Sequence, residues 1–358
     1  MNIDCYFPDG LRLSAAGAAG RAAEQAGFAA MWVTETRHNP FLACGAALAA
    51  TDRLQAGSGI AVAFPRSPMV TAQAAWDLAD AAGGRFVLGL GTQVKAHVQR
   101  RFSTAFDRPA QRMREYVHAL RAIFDAFQGD GRLRFSGDFY EFSLLTDFFN
   151  PGPIDDPRVP IWVAAVGPAM LRMAGESCDG VFLHPLNSAE YLRATVLPMI
   201  ETGARAGGRD PAELTVCCPV FVAVGNTQEE IDRQRAGIAR QIAFYGSTRT
   251  YRPVFDAHGW GEVTGELHAL LARGDTRAMT ALVTGEMLDA FSVSATWDQL
   301  PAGLAGRYEG LADRVAPYGA DLGSPEAREH WQDVVAALAR RAGTLRPGQR
   351  TESPAPHQ

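Results

Sequence analysis

The amino-acid sequence predicts an α/β fold, a (β/α)8 TIM barrel with a helical insertion between its seventh and eighth strands. Strand and helix signals alternate through eight units along the 358 residues, a pattern that favours a closed barrel over an open doubly wound sheet. The second observation is the stretch 83–93, GGRFVLGLGTQ. Its glycine pair ends a helix, its run FVL suits a parallel strand buried on both faces, and its later glycines open the strand's carboxyl end. Ligands of α/β proteins sit at such strand ends.

Taken in order, residues 2–7 (NIDCYF) read as the first strand and 15–26 as an Ala-rich helix. Residues 29–34 (AAMWVT) are the second strand, and 42–50 its helix. The third strand is 54–63 (LQAGSGIAVA), followed by a helix over 68–82. The fourth is 86–90, with helices over 95–102 and 108–127, the latter carrying Pro109 in its first turn. Residues 133–142 alternate around Ser-Gly-Asp and read as a surface hairpin. Strands at 161–165, 180–183 and 214–224 are each followed by a helix, and 312–316 is the eighth strand before a last helix over 325–341. Residues 245–285 are helical and loop-like without a strand, and in a barrel such an insertion covers the carboxyl-end rim. No repeat or linker interrupts the pattern. One domain over 1–342 is therefore expected, with 343–358, polar and Pro-rich, as a disordered tail.

Composition narrows the class. Hydrophobic residues make up 47% and charged residues 20%, with a net charge of -5, as in a soluble enzyme. No basic run suits a nucleic acid. The start MNIDCYFPDG lacks the pattern of a signal peptide, and no 18-residue apolar run reads as a membrane span. Five cysteines without metal spacing read as buried thiols of a cytoplasmic protein.

Four strand exits carry candidate chemistry. After the second strand stand Glu35, Arg37 and His38. His38 is either a proton donor or acceptor, because imidazole titrates near neutrality, or a rim histidine in surface hydrogen bonds. The third strand contains Gly57, Ser58, Gly59 and Ile60. Two glycines within a strand mean a bulge, a close ligand approach or plain barrel packing. Gly91, Thr92 and Gln93 follow the fourth strand, where Gln93 has the groups to hydrogen-bond a ring edge. Ala165, Val166, Gly167 and Pro168 lead into a helix whose free N–H groups suit a phosphate without a basic side chain. His184 follows the sixth strand. The remaining histidines lack ligand spacing, so no metal is expected.

The segments AAMWVTETRHNPF, LQAGSGIAVAFPRSPMVTAQAAWDLADAAGGRFVLGLGTQVKAHVQRRF and VPIWVAAVGPAMLRMAGESCDGVFLHP, in that order, resemble the luciferase-like monooxygenase superfamily. Within it they look like the branch that uses the deazaflavin coenzyme F420. The resemblance implies a bacterial-luciferase-like barrel, often dimeric. It places His38 as proton donor or acceptor beside the reactive ring carbon, and a bulge with a non-prolyl cis peptide at Gly59 and Ile60 behind the ring. It puts cofactor contacts at Gly91, Thr92 and Gln93 and a phosphate-binding turn at Val166, Gly167 and Pro168. Several deazaflavin members have Asp immediately before the histidine, where this chain has Arg37 with Glu35 two residues further back. Glu35 is therefore the candidate relay partner.

The function implied is hydride transfer between coenzyme F420 and a small organic substrate, either an activated C=C or C=N bond or an alcohol/carbonyl pair. The alternatives are an FMN-dependent monooxygenase that uses oxygen, and a non-catalytic flavin-binding barrel. The implied partners are an F420 reductase or flavin reductase and a second copy of the chain. An apolar rim including Trp32 and Phe64 is expected to shape the substrate pocket with His184. The insertion, with Tyr251, Phe255, His258 and Trp260, is expected to set the substrate.

Overall fold

Asp4 is the residue at which the barrel closes. In the computed structural model, which describes residues 1–344, Asn2–Ile3 pairs in parallel with the eighth strand, Arg314–Pro317, and Cys5–Phe7 pairs with the second, Ala30–Val33. From there the ring runs through the third strand (Gln55–Ser58 and Ala61–Val62), the fourth (Phe86–Gly91), the fifth (Ile161–Ala164), the sixth (Gly180–Phe182) and the seventh (Thr215–Gly225) back to the eighth. Every pairing in the ring is parallel. The expected eight-position barrel is the observed one.

Helices fill the connections. Those beginning at Pro40, Pro68, Pro109 and Pro168 each carry proline in the first turn, where its missing N–H costs nothing. Asn39 and Ser67 cap two of them with side-chain oxygens. The helix expected over 189–206 is interrupted by a π segment, Leu192–Val196, immediately before Pro198. Proline cannot donate the i→i−4 bond there, so the ladder shifts register. The hairpin forms between Phe135–Ser136 and Glu141–Phe142. The final helix runs to Thr344, past the expected boundary at 342, and the rest of the expected tail lies outside the described residues.

Two features shape the mouth of the barrel, the first expected from the resemblance and the second not. The third strand is broken at a cis peptide between Gly59 and Ile60. Beyond the insertion helices, which include Gly261–Ala272 and Gly285–Phe291, an unexpected strand, Ser292–Thr296, pairs in parallel with Phe221–Gly225. Its sequence, SVSAT, has no apolar run. It is a strand because the seventh strand outgrows its ring neighbours and offers a free edge.

Inside the barrel, Ala30, Trp32, Val87, Trp162, Phe182, Cys217 and Ala316 pack together. Glycine makes room for these large rings. A Cβ on Gly57 would lie 2.6 Å from Trp32, one on Gly180 2.7 Å from Trp162, and one on Gly89 2.7 Å from Phe182 and 1.8 Å from the Ser58 carbonyl oxygen. The glycines at 57 and 89 therefore serve barrel packing, one of the readings left open by the sequence. Trp32 is fully buried here and donates from Nε1 to Asp4 at 2.9 Å. It is a plug of the barrel interior, which corrects its assignment to the substrate rim. Beneath it Arg314 grips Asp4 with two bonds of 2.7 Å and donates to Gln55 at 3.0 Å.

All five cysteines are buried and free. Neighbours Cys217 and Cys218 face opposite ways, one into the barrel cluster and the other toward Asn187. Burial pushes the thiols of Cys44, Cys178 and Cys218 up to about 12, which leaves them unreactive. Among the described residues no helix is long and apolar enough to cross a membrane.

Candidate active site

The break in the third strand is held from both sides. The Gly59 amide donates to the Val33 carbonyl at 2.9 Å, and the Glu35 amide donates to the Ile60 carbonyl at 3.1 Å. The Gly59 carbonyl leaves the sheet ladder and accepts from the Tyr6 hydroxyl and, at 2.8 Å, from Thr34 Oγ1. Four hydrogen bonds thus fix one peptide step at the carboxyl end of the barrel. The space a Cβ on Gly91 would enter is filled by the Ile60 side chain, 2.6 Å away. Gly91 therefore contributes by seating Ile60 and not by opening its own backbone to a ligand.

Glu35 is buried, and its carboxylate is committed to structure. Oε2 accepts from the Val62 amide at 2.7 Å and from Arg66 at 2.8 Å, and Oε1 accepts from Arg66 at 2.7 Å. Among the described residues no hydrogen bond joins Glu35 to His38. Glu35 is a positioning residue that ties the second strand's exit to the third, not the proton-relay partner expected of it. His38 itself is exposed and makes no hydrogen bond among the described residues. Its loop is fixed on both sides, by the guanidinium of Arg101 on the Thr36 carbonyl and by the Asn39 cap of the next helix.

Ser58 departs from expectation as well. Its hydroxyl donates to the Gly89 carbonyl at 2.7 Å and accepts from the Gly89 amide at 3.1 Å. It is fully buried, with nothing left for a cofactor. Phe64 is likewise buried, under Arg112 at 4.5 Å and beside Phe106. It supports the rim from below and does not line it. Gln93 takes a left-handed backbone conformation, φ 58°, and its side-chain oxygen accepts from the Val94 amide. The Gln93 amide nitrogen has no hydrogen-bond partner among the described residues. Thr92 donates to the Gln93 carbonyl.

The turn after the fifth strand is open. Ala165 stays in the ladder, donating to the Phe182 carbonyl at 3.0 Å, while Val166 and Gly167 are half-buried. Gly167 is the N-cap of the helix Pro168–Ser177, with no side-chain capping bond, and a Cβ there would meet nothing within 4 Å. Pro168 has no N–H, and those of Met170 and Leu171 donate to the Gly167 carbonyl, so the N–H groups of Gly167 and Ala169 are the ones without an acceptor among the described residues, as an anion site requires.

Opposite lies an aromatic wall of which sequence reasoning named His184 and Tyr251. Tyr6 stacks on Tyr318 at 5.3 Å, Tyr318 meets Phe221 edge-on at 5.5 Å, and the hydroxyls of Tyr318 and Tyr245 are 3.1 Å apart. Tyr245 and Tyr251, both from the insertion side, close on His184 at 4.4 Å each. His184 Nδ1 accepts from the Leu186 amide, so the ring proton of the neutral form is on Nε2. Burial drives the His184 pKa from its ordinary 6.5 down to about 3. In that window the unfolded chain binds a proton that the folded one refuses, so stability falls as pH drops from 6.5 toward 3. His184→Asn keeps an acceptor for Leu186 and is expected to flatten this dependence, read as denaturation midpoints at pH 7 and pH 5. Trp260 lies elsewhere, stacked on His258 at 4.6 Å and edge-on to Phe291. Tyr245 and Tyr251 are the insertion residues that reach His184.

A cavity of about 360 Å³ adjoins this wall behind Tyr318, between Val222, Val224, Trp297 and Trp331. Among the described residues no cluster of His, Cys, Asp or Glu forms a metal site.

The fold has known counterparts. The luciferase-like monooxygenase family matches residues 7–314. The chain belongs to that family. An uncharacterised protein of Mycobacterium tuberculosis is 43% identical over 317 residues, covering 88% of this chain and 93% of the relative. The 5,10-methylenetetrahydromethanopterin reductase of Archaeoglobus fulgidus is 30% identical over 287 residues, covering 78% of this chain and 82% of the relative. Among solved structures, the coenzyme F420 dependent tetrahydromethanopterin reductase of Methanopyrus kandleri superposes with a TM-score of 0.77 at 19% identity, over 95% of this chain and 99% of that one. A riboflavin lyase with modified FMN superposes with a TM-score of 0.72 at 13% identity, over 97% and 93% of the two chains. At these identities the likenesses to solved structures speak for the shared barrel. Luciferase-like members with a deazaflavin and with a flavin thus share the architecture seen here.

Proposed function

We propose that this luciferase-like protein is a coenzyme F420-dependent oxidoreductase, moving hydride between the deazaflavin and a small organic substrate. The observation that carries the reading is the third-strand break, fixed by four hydrogen bonds at the mouth, with the open Gly167 turn at the same end of the barrel. These residues fit the coenzyme. Ile60, seated in the space over Gly91, offers a flat apolar backing for a ring, and the unpartnered Gln93 amide offers a donor to a ring edge. The uncapped helix start offers the N–H groups of Gly167 and Ala169 to a phosphate, in a turn without Lys or Arg. The reductase name of the Archaeoglobus relative supports the same reading.

When bound, a deazaflavin supplies two-electron hydride chemistry, because a carbon replaces the central flavin nitrogen that supports oxygen reactions. The protein supplies position and protons. Tyr6, Thr34 and Glu35 hold the break rigid. His38, exposed and without a hydrogen-bond partner among the described residues, stands on a fixed loop and exchanges the proton that accompanies the hydride. Arg66 and Glu35 neutralise one another, so neither adds net charge beside the reacting centre.

Gly167→Asp tests the phosphate turn with two readouts of opposite sign. The backbone there, φ -85° and ψ 159°, suits an Asp N-cap, so folding stability is expected to hold or rise by a few tenths of a kcal/mol. The same carboxylate at the phosphate site is expected to weaken F420 binding by about 10- to 100-fold. Unchanged F420 affinity in a folded variant would remove the phosphate from this turn.

A further inference from the structure

We propose that the Tyr245–Tyr318 hydroxyl pair is the substrate-binding element of this site, and that the substrate it selects is an uncharged, flat, conjugated carbonyl compound. The inference rests on the reading of the mouth as a hydride-transfer site and adds the substrate class to it.

Each phenol carries one O–H. The bond between Tyr245 and Tyr318, 3.1 Å long, uses one of the two protons. Neither hydroxyl has another hydrogen-bond partner among the described residues, so one O–H stays available to an acceptor. Burial raises the pKa of Tyr318, and burial likewise raises those of Tyr6 and Tyr251. Tyr318 is therefore a donor and not a base. A carbonyl oxygen is the acceptor such a donor fits, and a donor aimed at that oxygen also stabilises negative charge developing on it.

Tyr6, His184, Phe221, Tyr245, Tyr251 and Tyr318 come from four strands or strand exits and from the insertion. None carries a charge at neutral pH, His184 included. Stacked and edge-on rings present flat apolar faces, which favour a flat ligand. The acid whose field reaches Tyr318 is Asp9, on the loop after the first strand, and it disfavours an anionic substrate.

Tyr6 stacks on Tyr318 and donates to the Gly59 carbonyl, so the wall is tied to the peptide step that backs the proposed coenzyme ring. A molecule lying on the wall is held in a fixed relation to that step.

The test is calorimetric titration of the full-length protein with coumarin and with coumarin-3-carboxylate, the same frame with and without a negative charge. Titrations are run with and without oxidised F420, on the wild type, Tyr245→Phe, Tyr318→Phe and the double variant. Coumarin is expected to bind about tenfold or more tightly than its carboxylate. Each single variant keeps one free O–H, so each is expected to stay within about threefold of wild type. The double variant loses both and is expected to weaken by about tenfold. A purely structural role for the tyrosines would not produce this non-additive pattern. F420 affinity, measured on the same four proteins, is expected to stay constant. Absent coumarin binding, equal binding of the two probes, or an unaffected double variant overturns the substrate assignment. Absent F420 binding by the wild type overturns the coenzyme reading instead.

Discussion

Replacing His38 with alanine is expected to slow turnover by about 10²- to 10⁴-fold, the usual contribution of a positioned general acid or base. F420 affinity is expected to stay within about threefold. The expectation rests on how the loop is built. Arg101 holds the Thr36 carbonyl, Glu35 is locked to Arg66 and the Val62 amide, and Asn39 caps the following helix. The backbone on either side of His38 is thereby fixed while its imidazole is exposed and unbonded among the described residues. A group that must take a proton from solvent and pass it to a substrate needs that combination. The measurement is the rate of F420 oxidation or reduction with a single substrate, followed by the coenzyme's absorbance. An unchanged rate in the His38→Ala protein would move the proton to another donor, with Tyr245 and Tyr318 next in reach of the argument.

Arg314→Met is expected to destabilise the fold by about 3–5 kcal/mol, the cost of leaving one partner of a buried ion pair uncompensated. Asp4 is fully buried and Arg314 is nearly so. Two bonds of 2.7 Å join them, and Trp32 and Gln55 complete the cluster. Asp4 is also the residue between the two halves of the first strand, so the pair sits where the barrel closes. Replacing both charges, Asp4→Leu with Arg314→Met, is expected to recover most of the loss, since neither charge is then stranded. Denaturant midpoints of the two variants decide this. Equal destabilisation by the single and double changes would mean that the cluster acts through shape and not through charge.

The barrel was legible because its strands are short apolar runs set between helices that often begin at proline. The third-strand break was legible as a pair of glycines, though not as which glycine does what. Gly59 belongs to the break, while Gly57 and Gly89 make room for Trp32 and Phe182. Ser58 and Gly89, which meet in space, lie 31 residues apart, so nothing local distinguishes packing from ligand approach. Trp32 misled for a related reason. Alternation puts a residue inside a barrel strand, but its depth along the axis separates plug from rim, and depth depends on strand register. Ser292–Thr296 carries no apolar signal because its partner is the overhanging end of the seventh strand. The aromatic wall joins Tyr6 to Tyr318 from opposite ends of the chain, and the eighth strand as read from sequence stops at Ala316, two residues short of it. Glu35 looked catalytic from its distance to His38 in sequence. Arg66, in the loop after the third strand, claims it in space.

The central claim is that the mouth of this barrel is built for a deazaflavin. Parallel equilibrium titration of the purified protein with oxidised F420 and with FMN, by fluorescence quenching, addresses it most directly. Saturable F420 binding at least about tenfold tighter than FMN is the predicted result, a difference of about 1.4 kcal/mol. Tighter binding of FMN, or binding of neither, would contradict it.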